Sequence, residues 1–164
     1  MLRVWGRRNS SNTQKVMWAL GELDLPHERI DAGLEFGRNN EPAYLTLNPN
    51  GLVPTLEDGD LILWESNSIV RYLANRCGAG TLEPADSKTR ALANQWMDWQ
   101  LSVFTPAFWN TFHGLVRTPY DKRDYAAIAD SKIKSIAASK IFDEHLSRNA
   151  YVAGDAFSMG DIPM

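Results

Sequence analysis

Three short stretches of the chain set polar side chains where a helix or a strand begins. The first is Asn9-Ser10-Ser11-Asn12-Thr13-Gln14-Lys15-Val16. Backbone N–H groups at a helix N-terminus point outward, and the helix dipole favours an anion there. Hydroxyls in such a loop can donate to a thiolate and lower its pKa by stabilising the charged form. The same residue types also serve simply as helix caps. The second stretch is Asn48-Pro49-Asn50-Gly51-Leu52-Val53-Pro54-Thr55-Leu56. A proline is tolerated at the start of a strand. If the Val53–Pro54 bond is cis, it turns the Val53 backbone toward a cleft, where an extended peptide could pair with it. The third is Trp64-Glu65-Ser66-Asn67-Ser68-Ile69. Glu65 can receive an ammonium, and Ser66 with the helix start behind it can receive a carboxylate. A helix cap with a dipole-compensating acid is the plainer use of the same pair.

The elements that must hold these stretches follow from periodicity. Leu2 to Trp5 is a short apolar run closed by Gly6 and predicts a buried strand. Val16, Ala19, Leu20 and Leu23 recur at helical spacing, so a helix follows and ends near Asp24, before Pro26. His27 to Ile30 predicts a second strand, and Ala43 to Leu47 a short helix. Asp58-Gly59 is a hairpin signal between two apolar runs within 53–64. Ser66 caps a helix with Ile69, Val70 and Leu73 on one face, which stops at Gly78 and Gly80. Residues 78–86 are rich in turn formers and predict a linker.

Beyond the linker the pattern is helical. Residues 88–116 are dense in aromatics, with a kink expected at Pro106. Ala129, Ile133, Ile136, Ala137 and Ile141 form an apolar stripe on a further helix over 125–147. Ser158-Met159-Gly160-Asp161 reads as a capping box, yet Met164 is the last residue. A start signal with no helix after it leads to the expectation that the chain is cut short and its helical half incomplete.

Composition narrows the class. The chain has 164 residues, 44% hydrophobic and 23% charged, with a net charge of -3. That is an ordinary balance for a soluble globular protein and gives no electrostatic argument for nucleic acid or an anionic membrane. Cys77 is the one cysteine, so a disulfide within the chain is impossible. With no apolar run of signal-peptide or membrane-span length, these features lead us to expect a cytoplasmic protein.

The three stretches, in this order and followed by an all-helical half, resemble the cytosolic glutathione transferase family, most closely its bacterial theta-like and nu-like members. The resemblance extends over essentially the whole chain. It implies a thioredoxin-like domain over 1–80 that binds glutathione, then an all-helical substrate domain over 86–164. The implied activity is conjugation of the glutathione thiolate to small electrophiles, in detoxification, by a homodimer that uses no metal. A non-catalytic module of the same fold is the alternative, and dehalogenase or isomerase chemistry would use the same site. By likeness, Ser10 takes the catalytic position, with Ser11 and Asn12 close enough to share it. Val53 and cis-Pro54 correspond to the backbone clamp for the cysteinyl unit. Glu65 and Ser66 correspond to the γ-glutamyl site. The chain departs from the theta pattern at Leu52, where a lysine often contacts the glycine carboxylate; Asn50, Arg38 and Asn40 are the substitutes at hand. Cys77 lies far from the first loop, so thiol–disulfide exchange is not expected as the main activity. Among the aromatics of 96–113, most read as core. Trp109 and His113, four residues apart on one helical face, are the candidates for the electrophile pocket.

Overall fold

β1 (Leu2–Trp5) turns Leu2 and Val4 inward and Arg3 outward, the period-two pattern of a half-covered strand. It is a central strand. β2 (His27–Ile30) lies parallel to it on one side, and β3 (Thr55–Asp58) antiparallel on the other. β4 (Leu61–Trp64) then pairs antiparallel with β3 through the Asp58-Gly59 hairpin, giving the order β2-β1-β3-β4. A parallel β1–β2 pair demands a crossover, which α1 (Ser11–Glu22) supplies. A short helix α2 (Pro42–Leu47) precedes β3, and α3 (Ser66–Cys77) follows β4. This is the thioredoxin-like arrangement that the family resemblance implies.

The computed structural model describes residues 1–164, as two compact units. The first comprises Met1–Ser87 with Pro163, the second Lys88–Ile162 with Met164. In the first, α1 packs against α3, with Val16, Ala19 and Leu20 meeting Ile69, Val70 and Leu73, all completely buried. Each large aliphatic side chain removed from water in this way contributes roughly 1.5–3 kcal/mol. The helices start after Trp5 and Trp64, which both lie beside Thr55, so their N-termini stand at one end of the sheet.

The second unit is helical as far as Leu146, and turns follow, with an isolated bridge between Tyr151 and Gly154. α4 (Ser87–Trp99) runs through a π turn at Gln100–Phe104 into α5 (Thr105–Phe112), and a second π turn follows at His113–Arg117. Pro106 sits at the start of α5, where its missing N–H is absorbed by the preceding wide turn. α6 (Tyr125–Leu146) follows the helix expected over 125–147. Ile133, Ile136 and Ile141 of its apolar stripe are largely exposed, and the buried residues are Ser131 and Ala138. A polar lock joins α5 and α6. Ser131 Oγ donates to the Ala107 carbonyl at 2.7 Å and accepts from the Thr111 N–H at 3.1 Å. Small residues on that face let the helices approach closely. Six aromatic rings, Trp96, Trp99, Phe104, Phe108, Phe112 and Phe142, form a chain of ring contacts.

At 158–161 the capping interactions are present. Asp161 Oδ2 accepts from the Ser158 N–H at 2.9 Å, and Ser158 Oγ accepts from the Gly160 N–H at 3.3 Å. Cys77 is exposed at the last position of α3. No helix is long and apolar enough to cross a membrane.

Candidate functional site

The loop between β1 and α1 is drawn tight by the sheet. After Trp5, the Gly6 N–H donates to the Ile30 carbonyl at 2.8 Å and the Arg7 N–H to the Ala32 carbonyl at 3.1 Å, so the β1–β2 pairing continues into the turn. Gly6 is required here: a Cβ would come within 2.3 Å of Thr13 Oγ1. The chain then turns into α1 with Ser10 as N-cap, at φ -88 and ψ 119. Ser10 Oγ accepts from the Thr13 N–H at 3.3 Å. Ser10 is nearly buried at 7% exposure, whereas Ser11 and Asn12 are exposed in the first turn.

The side chains of that turn differ in what they touch. Asn12 Oδ1 accepts a hydrogen bond from Ser66 Oγ at 3.3 Å. This bond links the first turn of α1 to the first turn of α3, so two twelve-residue helices converge by their N-termini. Neither first turn carries an acid, and the partial positive charges of both ends add. Glu65 precedes α3 in the left-handed region at φ 71, a conformation that disfavours any residue with a Cβ by about 1–2 kcal/mol. It holds because β4 ends at Trp64 and α3 begins at Ser66, leaving one residue to make the corner.

Lys15, one turn into α1, is a residue that sequence reading missed. It is buried, and its ammonium is pushed down to about 8, chiefly by burial, with the Glu65 carboxylate pulling in the other direction. Its place between Thr13 and Val16 on the covered face of α1 was the available signal.

On the other side of β1, residues 48–55 are wound around one side chain. Asn48 is 2% exposed. Its Nδ2 donates to the Leu52 carbonyl at 2.9 Å and to Thr55 Oγ1 at 3.2 Å. Its Oδ1 accepts from the N–H and the side-chain amide of Asn50, both at 3.1 Å. Tyr44 adds a hydroxyl bond to the Leu52 carbonyl at 2.6 Å, and burial pushes its phenol pKa up. This knot delivers the chain to a cis Val53–Pro54 bond, directly before Thr55, which pairs with Trp5 at the end of β1. Gly33, at φ 90, lets Val53 and the Arg7 guanidinium close on the same backbone; a Cβ there would lie 3.1 Å from Arg7.

The first unit therefore joins Asn12 to Ser66 directly, with Ser10 at the N-cap of α1 and Glu65 at that of α3, and with Val53 and Pro54 just before β3. Ser11 stands at the helix start. Asn50 has its side-chain amide turned toward Asn48, and Leu52 is exposed. Arg38 sits in a left-handed turn at φ 64. Trp109 and His113 belong to the second unit, where their rings stack at 3.9 Å and 28°. No group of histidine, cysteine and acidic side chains that could hold a metal is present.

This geometry has relatives. Residues 1–75 match the family model described as "Glutathione S-transferase, N-terminal domain". Glutathione S-transferase GstB of Escherichia coli K12 is 47% identical over 99% of this chain and 79% of its own length. The chain belongs to the glutathione S-transferase family. Glutathione S-transferase 3 of Zea mays is 34% identical over 98% of the chain and 73% of its own length. Among solved structures, the glutathione-bound theta class glutathione S-transferase from Xanthomonas axonopodis pv. citri superposes with a TM-score of 0.95. It is 47% identical over 99% of this chain and 78% of its own.

Proposed function

We propose that this glutathione S-transferase family member conjugates the glutathione thiolate to small electrophiles, with Ser10 as the hydroxyl that holds the sulfur. The observation that carries the assignment is the hydrogen-bond state of Ser10. Its oxygen already accepts from the Thr13 N–H, so its own proton is left to donate outward. Asn12 lies exposed in the first turn and its carboxamide oxygen accepts from Ser66 Oγ, which turns that side chain toward α3. Ser11 stands one position further into the helix. A Cys-like thiol has a pKa near ~8.5, and each unit by which it falls corresponds to about 1.4 kcal/mol of thiolate stabilisation. One donated hydrogen bond to a charged acceptor, about 1.5–3 kcal/mol, lowers the thiol by about one to two units and brings its titration to near neutral pH.

The rest of the peptide then has a place. Glu65 receives the γ-glutamyl ammonium. The N–H end of α3 at Ser66 receives its carboxylate. The Val53 backbone beside Pro54 pairs with the cysteinyl unit, with Asn50 and Arg38 near the glycyl end. The thiol proton leaves to solvent. The sulfur forms a bond to the electrophilic carbon, and the leaving group departs with the electron pair of the broken bond. Trp109 and His113 offer a stacked aromatic face for the electrophile. Residues 1–80 act as the glutathione domain and 86–164 as the second-substrate domain. The same reading carries a detoxifying role, a cytoplasmic location and a homodimer, all supported by family membership.

Ser10→Ala tests the assignment. Turnover at neutral pH should fall about 10- to 100-fold, the value of one charge-assisted hydrogen bond, while the Michaelis constant for glutathione changes little. A titration of thiolate absorbance in the complex reads the cause directly. If the bound thiol titrates at the same pH in the variant and the parent, Ser10 is not the sulfur's partner.

A further inference from the structure

α1 meets α3 along a stripe. Asn12, Lys15 and Ala19 follow one another at spacings of three and four, so one side of α1 carries all three. The first point of the stripe is tied: Asn12 Oδ1 accepts from Ser66 Oγ at 3.3 Å. The last is packed: Ala19 is completely buried where α1 lies on α3. Lys15 stands between these two fixed points at 8% exposure. A lysine is seldom buried to this degree without an opposite charge nearby, and the mechanism above gives this one no task.

Glu65 supplies the opposite charge. It is the residue before Ser66, so the Asn12–Ser66 bond sets it against the first turns of α1. Its carboxylate offsets part of the cost of burying the ammonium, which at a pKa of about 8 is mostly charged at pH 7. Glu65 itself is exposed, and its side chain makes no capping bond to the helix it precedes. The left-handed backbone at φ 71 fixes where this side chain leaves the chain. It does not fix where the carboxylate ends. A buried cation on the facing helix does, because rotamers that turn the carboxylate toward solvent take its charge away from the ammonium.

We propose that Lys15 is a positioning residue for glutathione: from the buried side of α1 it holds the Glu65 carboxylate where the γ-glutamyl ammonium docks. The proposal rests on the transferase reading above and adds to it the residue that pre-sets that end of the site. Lys15 acts through Glu65 and touches neither the peptide nor the sulfur. A carboxylate held before the ligand arrives spares binding the cost of ordering that side chain. A methionine at this position would be the cheaper tenant of the interior, so the lysine is a stability cost carried for the site.

Calorimetric titration of the protein with glutathione at pH 7 tests this. Lys15→Met should weaken binding about fivefold, as one partly exposed charge pair allows. Glu65→Gln should weaken it too. Lys15→Met added to Glu65→Gln should weaken it no further, because no carboxylate is left to hold. The bound thiol should titrate in Lys15→Met at the parent's pH, since the sulfur is held by Ser10. Lys15→Gln, which keeps a polar end, should repeat the loss of affinity and carries the test if the methionine variant departs from the parent's circular dichroism spectrum. An unchanged dissociation constant in the charge-free variants, or losses that multiply in the double variant, would overturn the positioning role and leave the transferase reading standing. A shifted thiol titration would put the effect of Lys15 on the sulfur and overturn the role as well. A parent that binds no glutathione would overturn both readings.

Discussion

Replacing Lys15 by methionine tests the electrostatics under the site. The ammonium of Lys15 titrates at about 8 in the folded chain against 10.5 for a solvated lysine, chiefly through burial. At about 1.4 kcal/mol per pH unit, that difference amounts to a burden of about 3 kcal/mol on the folded state while the lysine is charged. The sign follows from proton binding. Below pH 8 both states hold the proton and the full burden is present. Between pH 8 and 10.5 the unfolded chain still holds the proton while the folded chain has released it, so stability rises with pH. Above 10.5 neither state holds it and the burden is gone. Lys15→Met keeps a flexible apolar stem without the charge, so it lacks this rise. Urea unfolding followed by circular dichroism, at intervals from pH 7 to 10.5, should show the variant the more stable at neutral pH. The gap to the parent should then narrow by about 3 kcal/mol across the window. Tyr44 contributes with the opposite slope at the top of the range, since burial raises its pKa, but it does so in both proteins and cancels. Parallel profiles would refute the reasoning. A variant less stable than its parent at neutral pH, with the gap closing as Lys15 loses its charge, would mean that attraction to Glu65, not burial, governs this lysine.

Two further substitutions probe the site's supports. Glu65→Gln should raise the Michaelis constant for glutathione about tenfold with turnover nearly unchanged, because an interaction far from the sulfur is uniform between ground and transition states; steady-state kinetics with varied glutathione would show a fall confined to turnover if that is wrong. Asn48→Ala should cost about 2–4 kcal/mol in urea unfolding, since it strips four hydrogen bonds from a buried knot and leaves the Asn50 N–H and side-chain amide without their acceptor; a loss under about 0.5 kcal/mol would show that the loop before Pro54 is held by other means.

Where one face of an element is apolar and its ends carry turn chemistry, the sequence was enough to read it. β1, α1, β2, the Asp58-Gly59 hairpin and α3 all fall within a residue or two of their expected bounds. They are local patterns, and local patterns survive folding. α6 was read at its bounds, and its stripe of Ile133, Ile136 and Ile141 is largely exposed. Periodicity did not show Ser131: a serine does not register in a hydrophobic pattern, yet its buried hydroxyl has two backbone partners on α5. The π turns at 100–104 and 113–117 were invisible for a similar reason: they adjust a helix to its neighbours, and nothing in the local residue types requires them.

The candidate site divides along the same line. Residue types and spacing were enough to nominate Ser10, Ser11 and Asn12 together, because all three can cap a helix or meet a thiolate. Telling them apart needs the direction of single hydrogen bonds. Asn12 turns to Ser66, fifty-four residues away in sequence, and so joins two helix ends. Ser10 accepts from its own helix, which leaves its proton as a donor. Lys15 was hidden because a lysine inside a helix is ordinarily solvated, and only the packing of α1 on α3 buries it.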